Sequence, residues 1–197
     1  MFGLRRLYDW VLSWARTPYG GIALFVLAFA ESSFFPVPPD VLLIALALSL
    51  PTRAFRFAFI AACGSVLGGL FGYLLGYGMW HALDSFFFAY VPGFTPEGFV
   101  RVQELFERYN FWVVFSAGFT PIPYKIITVG AGVFHINIPV FLIGSAVGRS
   151  LRFFLVAWFI YRFGPPVRVL IEKYFNYLAL AFFILLVAGV WVVKYFF

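Results

Sequence analysis

Five charged residues fall inside long apolar stretches of this chain: Glu31, Asp40, Lys125, Arg149 and Arg152. A charge at bilayer depth costs at least about 2.5–3.5 kcal/mol on insertion scales, so each is expected to have a function and a partner. Glu31 and Asp40 are the candidate proton carriers, because withdrawal from water favours the neutral form of a carboxyl group. Lys125, Arg149 and Arg152 are the candidate binders of an anionic group such as a phosphate, whose oxygens accept charge-assisted hydrogen bonds. Helix N-termini beside them would add oriented N–H donors for the same anion. The competing expectation is structural, with the charges forming ion pairs such as Asp40 with Lys125, and Arg152 snorkelling or pairing.

Two proline-rich breaks must position these residues. The first is Phe35-Pro36-Val37-Pro38-Pro39-Asp40; the second is Gly118-Phe119-Thr120-Pro121-Ile122-Pro123-Tyr124-Lys125. Pro36, Pro38, Pro39, Pro121 and Pro123 remove backbone donors and restrict the residues before them, so no helix continues through either stretch. Non-helical backbone at membrane depth survives only where protein or a water-filled cavity surrounds it. Each break is therefore expected to be the tip of a re-entrant helical hairpin, over 18–52 and 110–135. The two pentapeptides Pro36-Val37-Pro38-Pro39-Asp40 and Pro121-Ile122-Pro123-Tyr124-Lys125 superpose at an offset of 85 residues, and the charge at the last position changes sign.

The rest of the chain supplies spans and surface helices. It is 63% hydrophobic and 11% charged, with a mean hydropathy of +0.96; soluble domains are roughly half apolar and a quarter charged, so the main solvent is lipid. Spans are expected over 57–79, over 138–162, and as a C-terminal helix over 175–196. The first carries Gly64, Gly68, Gly72 and Gly76 at every fourth position, a bare face for close helix contact. Residues 1–17 place Arg5, Asp9, Ser13 and Arg16 at helical spacing and are expected to lie in the membrane interface. A signal peptide is the competing reading, but no clear cleavage site follows. A second interfacial helix is expected over 96–109, opened by Thr95 and Pro96. His81 and His135 are expected at the interface.

With both hairpins re-entrant, Arg5, Arg6, Arg16, Arg53, Arg56, Arg162, Arg168 and Lys173 share one side, and the 80–109 segment carries only Arg101 and Arg108 opposite. This asymmetry makes the first side, with the N-terminus, cytoplasmic. The hairpins then enter from opposite faces, which defines an all-α polytopic membrane protein with an inverted repeat. Several classes are disfavoured. The basic residues are dispersed, unlike a nucleic-acid stripe. Cys63 is the single cysteine, so no internal disulfide forms, and no metal or cofactor is expected. No nucleophile elbow or phosphate-binding glycine loop points to an enzyme.

Taken with Glu31, and with Gly144-Ser145-Ala146-Val147-Gly148-Arg149 downstream, the two break motifs resemble the DedA family of bacterial membrane proteins, the VTT-domain group. They look most like its YqaA-type branch, over roughly residues 18–165. The resemblance implies opposed re-entrant hairpins, an inner-membrane location and the movement of lipids across the bilayer, with undecaprenyl phosphate as a linked substrate and protons as a coupling ion. Glu31 and Asp40 match the family's acidic pair, and Lys125 matches the basic residue that closes the second motif. The family's usual arginine ahead of that proline is missing here, and Arg149 is expected to supply its charge. The function expected is thus a transporter or flippase of a phosphate-bearing lipid, with membrane lipids as partners and an oligomer allowed. Its rivals are a proton-coupled carrier of a small ion and a non-transporting scaffold with buried ion pairs.

Overall fold

Proline decides where the helices stop. The computed structural model of the protein describes residues 19–90, 95–120 and 123–164, and every regular element among them is helical. The elements expected over 1–17 and 175–196, and Pro121 of the second break, lie outside the described residues. Helix α1, Gly20–Ser33, ends at Phe34, whose backbone (φ −150°, ψ −17°) leaves the helical region just ahead of Pro36, Pro38 and Pro39. Helix α2, Asp40–Ser49, begins directly after Pro39, with Asp40 in the first turn, where the helix dipole favours a carboxylate. A short 3₁₀ turn, Pro51–Arg53, leads into α3, Ala54–Tyr90.

The second half has the same order. Helix α4, Pro96–Phe119, is capped by the Thr95 side chain accepting from the Gly98 N–H. After the second break come α5, Tyr124–Val133, and α6, Ile138–Phe163, capped by Asn137 accepting from the Val140 N–H. Two boundaries differ from expectation. Helix α3 runs well past the expected 57–79, and the segments expected as 96–109 and 110–119 are one continuous helix. No Gly or Pro stands between Phe99 and Ala117, so nothing there ends the helix.

Close approaches fix the directions of the helices. Gly21 faces Ile60, Gly64 faces Phe25 and Gly68 faces Phe29, so α1 and α3 run the same way. Gly69 meets Tyr124 and Gly76 meets Val129, so α5 runs with them. On the opposite course, α6 pairs Arg149 with Ser65 and Tyr161 with Phe55 of α3. Gly144 and Gly148 face Phe111 and Phe115, so α4 runs with α6. Helix α2 packs on α6 and ends where α3 begins, beside the end of α6, so it too runs with α6. The first three helices therefore go one way, back and on again, and the second three do the reverse.

Two apolar clusters form the interior. One joins leucines of α1 and α2 to Phe57 and Ala61 of α3 and to Phe153, Ala157 and Ile160 of α6. The other joins Tyr73, Val114, Tyr124, Ala131 and Phe141. The outer surface is itself apolar: Ile22, Phe59, Leu74, Trp112, Ile126 and Trp158 are all exposed. Buried positions meanwhile include Ser32, Ser33, Ser65, Thr128, Ser145 and Arg149. An oily outside around a partly polar inside is what a lipid solvent allows, since helices there associate through small residues and hydrogen bonds.

The glycine ladder of α3 follows this logic. A Cβ on Gly68 would collide with the backbone carbonyl of Phe29, and one on Gly76 with that of Val129, whereas Gly78 has open space. Gly68→Ala is expected to destabilise the fold by about 1–3 kcal/mol through overpacking. Gly78→Ala should be neutral or stabilising by up to about 1 kcal/mol through helix propensity. Thermal melts of the two variants in detergent make the comparison; equal melting temperatures would mean that the close contact of α1 and α3 is not as described.

Candidate functional site

The two proline breaks meet beside the middle of α6, and all five charges predicted from sequence gather there. Arg149 is the most enclosed, with its side chain 4% exposed. Its Nη2 donates to Oε2 of Glu31 at 2.6 Å, and its Nε donates to Oγ of Ser65 at 2.5 Å. Since Ser65 accepts there, its own proton is free for Ser32 Oγ, 2.6 Å away, and Ser32 in turn donates to Glu31 Oε2 at 3.3 Å. Arg149 is thus tied to Glu31 directly and again through two hydroxyls. The guanidinium also lies 4.9 Å from the Tyr124 ring and 4.8 Å from the Phe153 ring, in cation–π contact with one residue from each apolar cluster.

Arg152 makes the second pair. Its Nε and Nη2 donate to the two carboxylate oxygens of Asp40, at 3.1 and 3.0 Å. This bidentate geometry is the strongest that a guanidinium and a carboxylate form. The remaining nitrogen, Nη1, donates to the carbonyl of Thr120 at 3.0 Å, where α4 ends. One side chain therefore joins the start of α2 to the end of α4. The pair is more open than the first, with side chains 20% and 17% exposed.

Lys125 behaves differently. Its Nζ donates to the carbonyl of Phe35 at 3.1 Å, in the first break. Among the described residues no carboxylate lies within ion-pair distance of it. The expected Asp40–Lys125 pair is therefore not formed: Asp40 is taken by Arg152, whose two-pronged donor matches both oxygens. Two arginines adjoin the second break: Arg149 sets its stem against Gly118 and its guanidinium 4.9 Å from the Tyr124 ring, and Arg152 donates to the Thr120 carbonyl.

Hydroxyls and rings hold these groups in register. Tyr124 donates to Ser145 Oγ, which keeps its ring under Arg149. Thr128 Oγ1 lies 2.9 Å from the carbonyl of Ser32 and 3.0 Å from that of Lys125, joining α5 to the last turn of α1. Ser33 donates to the carbonyl of Gly68, fixing the same turn on α3. Sequence reasoning did not single out Ser32, Ser65, Tyr124 or Thr128. Their signal was a polar residue on an otherwise apolar helical stretch, which is weaker than a charge. Of the proline residues, Pro39 is fully buried and Pro123 is half-buried at the start of α5. His135 adopts a left-handed backbone (φ 56°) after α5 and packs edge-on against Tyr77, with ring centroids 4.9 Å apart. No cluster of potential metal ligands occurs among the described residues.

Two described helices, Pro51–Trp80 and Ile138–Phe163, are long and apolar enough to cross a bilayer. With the apolar outer surface and the buried charges, they define a helical membrane protein. The VTT-domain family matches residues 35–162, and the chain belongs to that family, the DedA group of transporter-like membrane proteins. An uncharacterised protein of Haemophilus influenzae is 36% identical over 170 residues, covering 84% of this chain and 87% of its own. One from Histophilus somni is 38% identical over 175 residues, with the same coverage. No solved structure matches.

The two ion pairs differ in enclosure, which sets their sensitivity. Glu31→Ala leaves Arg149 charged and buried without its carboxylate, and is expected to cost about 3–5 kcal/mol. Asp40→Arg and Arg152→Asp should each lower the melting temperature in detergent, and the double swap should recover most of the loss. A swap that is no better than the single variants would show that the pair does not bind the two halves together.

Proposed function

We propose that the protein carries a phosphate-bearing lipid across a bacterial inner membrane, with the head group passing the cluster where the two breaks meet. The observation that carries this reading is the excess of positive charge there. Arg149, Arg152 and Lys125 face only Glu31 and Asp40, and Lys125 has no carboxylate partner among the described residues. Lys125 also stands in the first turn of α5, at the positive end of the helix dipole, where a cation does nothing for helix stability. An anion seated there would satisfy both.

The architecture supports the same reading. Helices α1, α2 and α5 have 14, 10 and 10 residues, or about 21, 15 and 15 Å at 1.5 Å per residue. None crosses a hydrocarbon core of about 30 Å alone. In this reading α1–α2 and the end of α4 with α5 are re-entrant hairpins that enter from opposite faces and meet at mid-depth, an inverted repeat of the kind transporters use. Arg53, Arg56 and Arg162 lie at the end of the bundle where α1 begins, which supports a cytoplasmic assignment for that end and for the N-terminus of a multi-pass protein.

Lys125 donates to the Phe35 carbonyl, so a phosphate that took its ammonium would release that tie to the first break. A proton reaching Glu31 or Asp40 would likewise loosen an arginine tie, which is how a proton gradient would couple to movement. Undecaprenyl phosphate fits as substrate because it presents one phosphate on a tail soluble in the surrounding bilayer. The protein acts without covalent chemistry and takes membrane lipids as its partners. A second reading has one observation in its favour: the Glu31–Arg149 and Asp40–Arg152 pairs are well satisfied, as they would be in a scaffold that moves nothing. A carrier of a small anion would use the same residues.

Proteoliposomes decide among these. A fluorescent polyprenyl phosphate and a fluorescent neutral phospholipid are followed in parallel, with and without a pH gradient. Movement of the polyprenyl phosphate alone is expected, reduced at least tenfold in Lys125→Met, whose fold should be intact. Movement of both lipids would make the protein a scramblase. Movement of neither by folded protein would leave the scaffold or a small-anion carrier.

A further inference from the structure

Away from the buried charges, one end of the bundle carries three arginines that make no ion pair among the described residues. Arg53 belongs to the 3₁₀ turn ahead of α3, Arg56 to the first turn of α3, and Arg162 to the last turn of α6, and all three are exposed. The two helix ends are held together, since the Phe55 ring lies 5.5 Å from that of Tyr161 and 6.2 Å from that of Phe154. Phe55 and Tyr161 are the immediate chain neighbours of Arg56 and Arg162. None of the three arginines has a carboxylate partner among the described residues. Arg162 lies only over the ring of its neighbour Phe163.

Helix stability accounts for one of the three. Arg162 is well placed at a helix C-terminus, but Arg53 and Arg56 precede and open a long helix, where the macrodipole disfavours cations and a carboxylate would serve better. The surroundings indicate what they face. Phe55, Phe59, Trp158, Tyr161 and Phe163 are exposed around them, a ring of aromatic side chains such as occupies the boundary between acyl chains and head groups. At the other end, the exposed surface of α4 is mixed in sign, with Glu97, Glu104 and Glu107 against Arg101 and Arg108. A net positive rim at one boundary only, set in aromatic side chains, complements a surface of lipid phosphates.

We infer that Arg53, Arg56 and Arg162 form a binding rim for the head groups of anionic phospholipids, separate from the cluster around Lys125. The rim anchors the start of α3 and the end of α6 to the lipid surface, and so fixes the depth at which the central charges sit.

The test uses the full chain purified in a neutral detergent, its melting temperature read after addition of phosphatidylglycerol or, separately, phosphatidylcholine. Phosphatidylglycerol is expected to raise the melting temperature by roughly 3 °C or more beyond phosphatidylcholine, because a ligand that binds the folded state stabilises it. Salt at about 1 M, where the Debye length is about 3 Å, should shrink that difference. The triple variant Arg53→Gln, Arg56→Gln, Arg162→Gln should lose the preference, the corresponding triple Lys variant should keep most of it, and Lys125→Met should keep all of it. Should the Gln triple variant not fold, Arg53→Gln and Arg162→Gln made singly should each show a reduced preference. An equal response to the two lipids in the native chain, a preference that survives in the Gln variants, or its loss in Lys125→Met would each overturn the inference.

Discussion

Arg149 imposes the tightest constraint on the molecule. A guanidinium near the middle of an apolar helix, almost wholly enclosed, is tolerable only if each of its donors is used and its charge is opposed. Glu31 opposes the charge, which fixes the depth of α1 against α6. Ser65 takes Nε, which fixes α3 against α6. The Tyr124 and Phe153 rings both contact the guanidinium, which brings α5 in and joins the two apolar clusters through one planar group. Three helices besides its own, α1, α3 and α5, are thus placed by one side chain, and the glycines of α3 are the consequence. Backbones must approach closely for such short bonds to form, and a Cβ at Gly64 or Gly68 would stand in the way.

The breaks follow from the same constraint. A continuous α1 would leave Glu31 in place but carry the residues after it, Asp40 among them, on past Arg149 and away from Arg152. Proline ends it within a turn of Glu31 and returns the chain as α2, whose first residue, Asp40, meets Arg152. The backbone groups freed at the breaks are then taken by cations from elsewhere in the fold: Lys125 of α5 accepts the burden of the Phe35 carbonyl, and Arg152 of α6 that of Thr120. Irregular backbone beside the buried charges persists because side chains replace the helical partners it has lost.

Much of this was legible in the sequence, and the reasons are physical. Charges in apolar stretches and clustered prolines are strong, local signals, so the five charged residues and both interruptions were readable one residue at a time. Which charge meets which was not. Asp40 and Lys125 occupy equivalent positions in the two motifs, and symmetry made them seem partners; the pairing is set instead by three-dimensional reach and by the two-pronged shape of arginine. The continuity of α4 through Asn110 was hidden for a different reason. The polarity of its surface changes sharply there while its backbone propensity does not, and hydropathy follows the former. Ser32, Ser65, Tyr124 and Thr128 escaped notice because a hydroxyl in a helix is unremarkable until its partner is known.

The sign change between Asp40 and Lys125 has a structural meaning. Both residues open a short helix directly after a proline break, where the helix dipole is positive. At that position the aspartate is electrostatically complete, with a helix N-terminus on one side and a bidentate arginine on the other. The lysine is the reverse: it adds positive charge to a positive helix end, and a single carbonyl oxygen is its recorded partner. Two halves that were electrostatically identical would each be neutralised internally, and the meeting point of the breaks would have no reason to admit anything. Because Asp40 has its counter-charge in Arg152 and Lys125 has no carboxylate partner among the described residues, the two halves differ in electrostatic balance, and an anion of the kind proposed above would offset the excess on the side of α5.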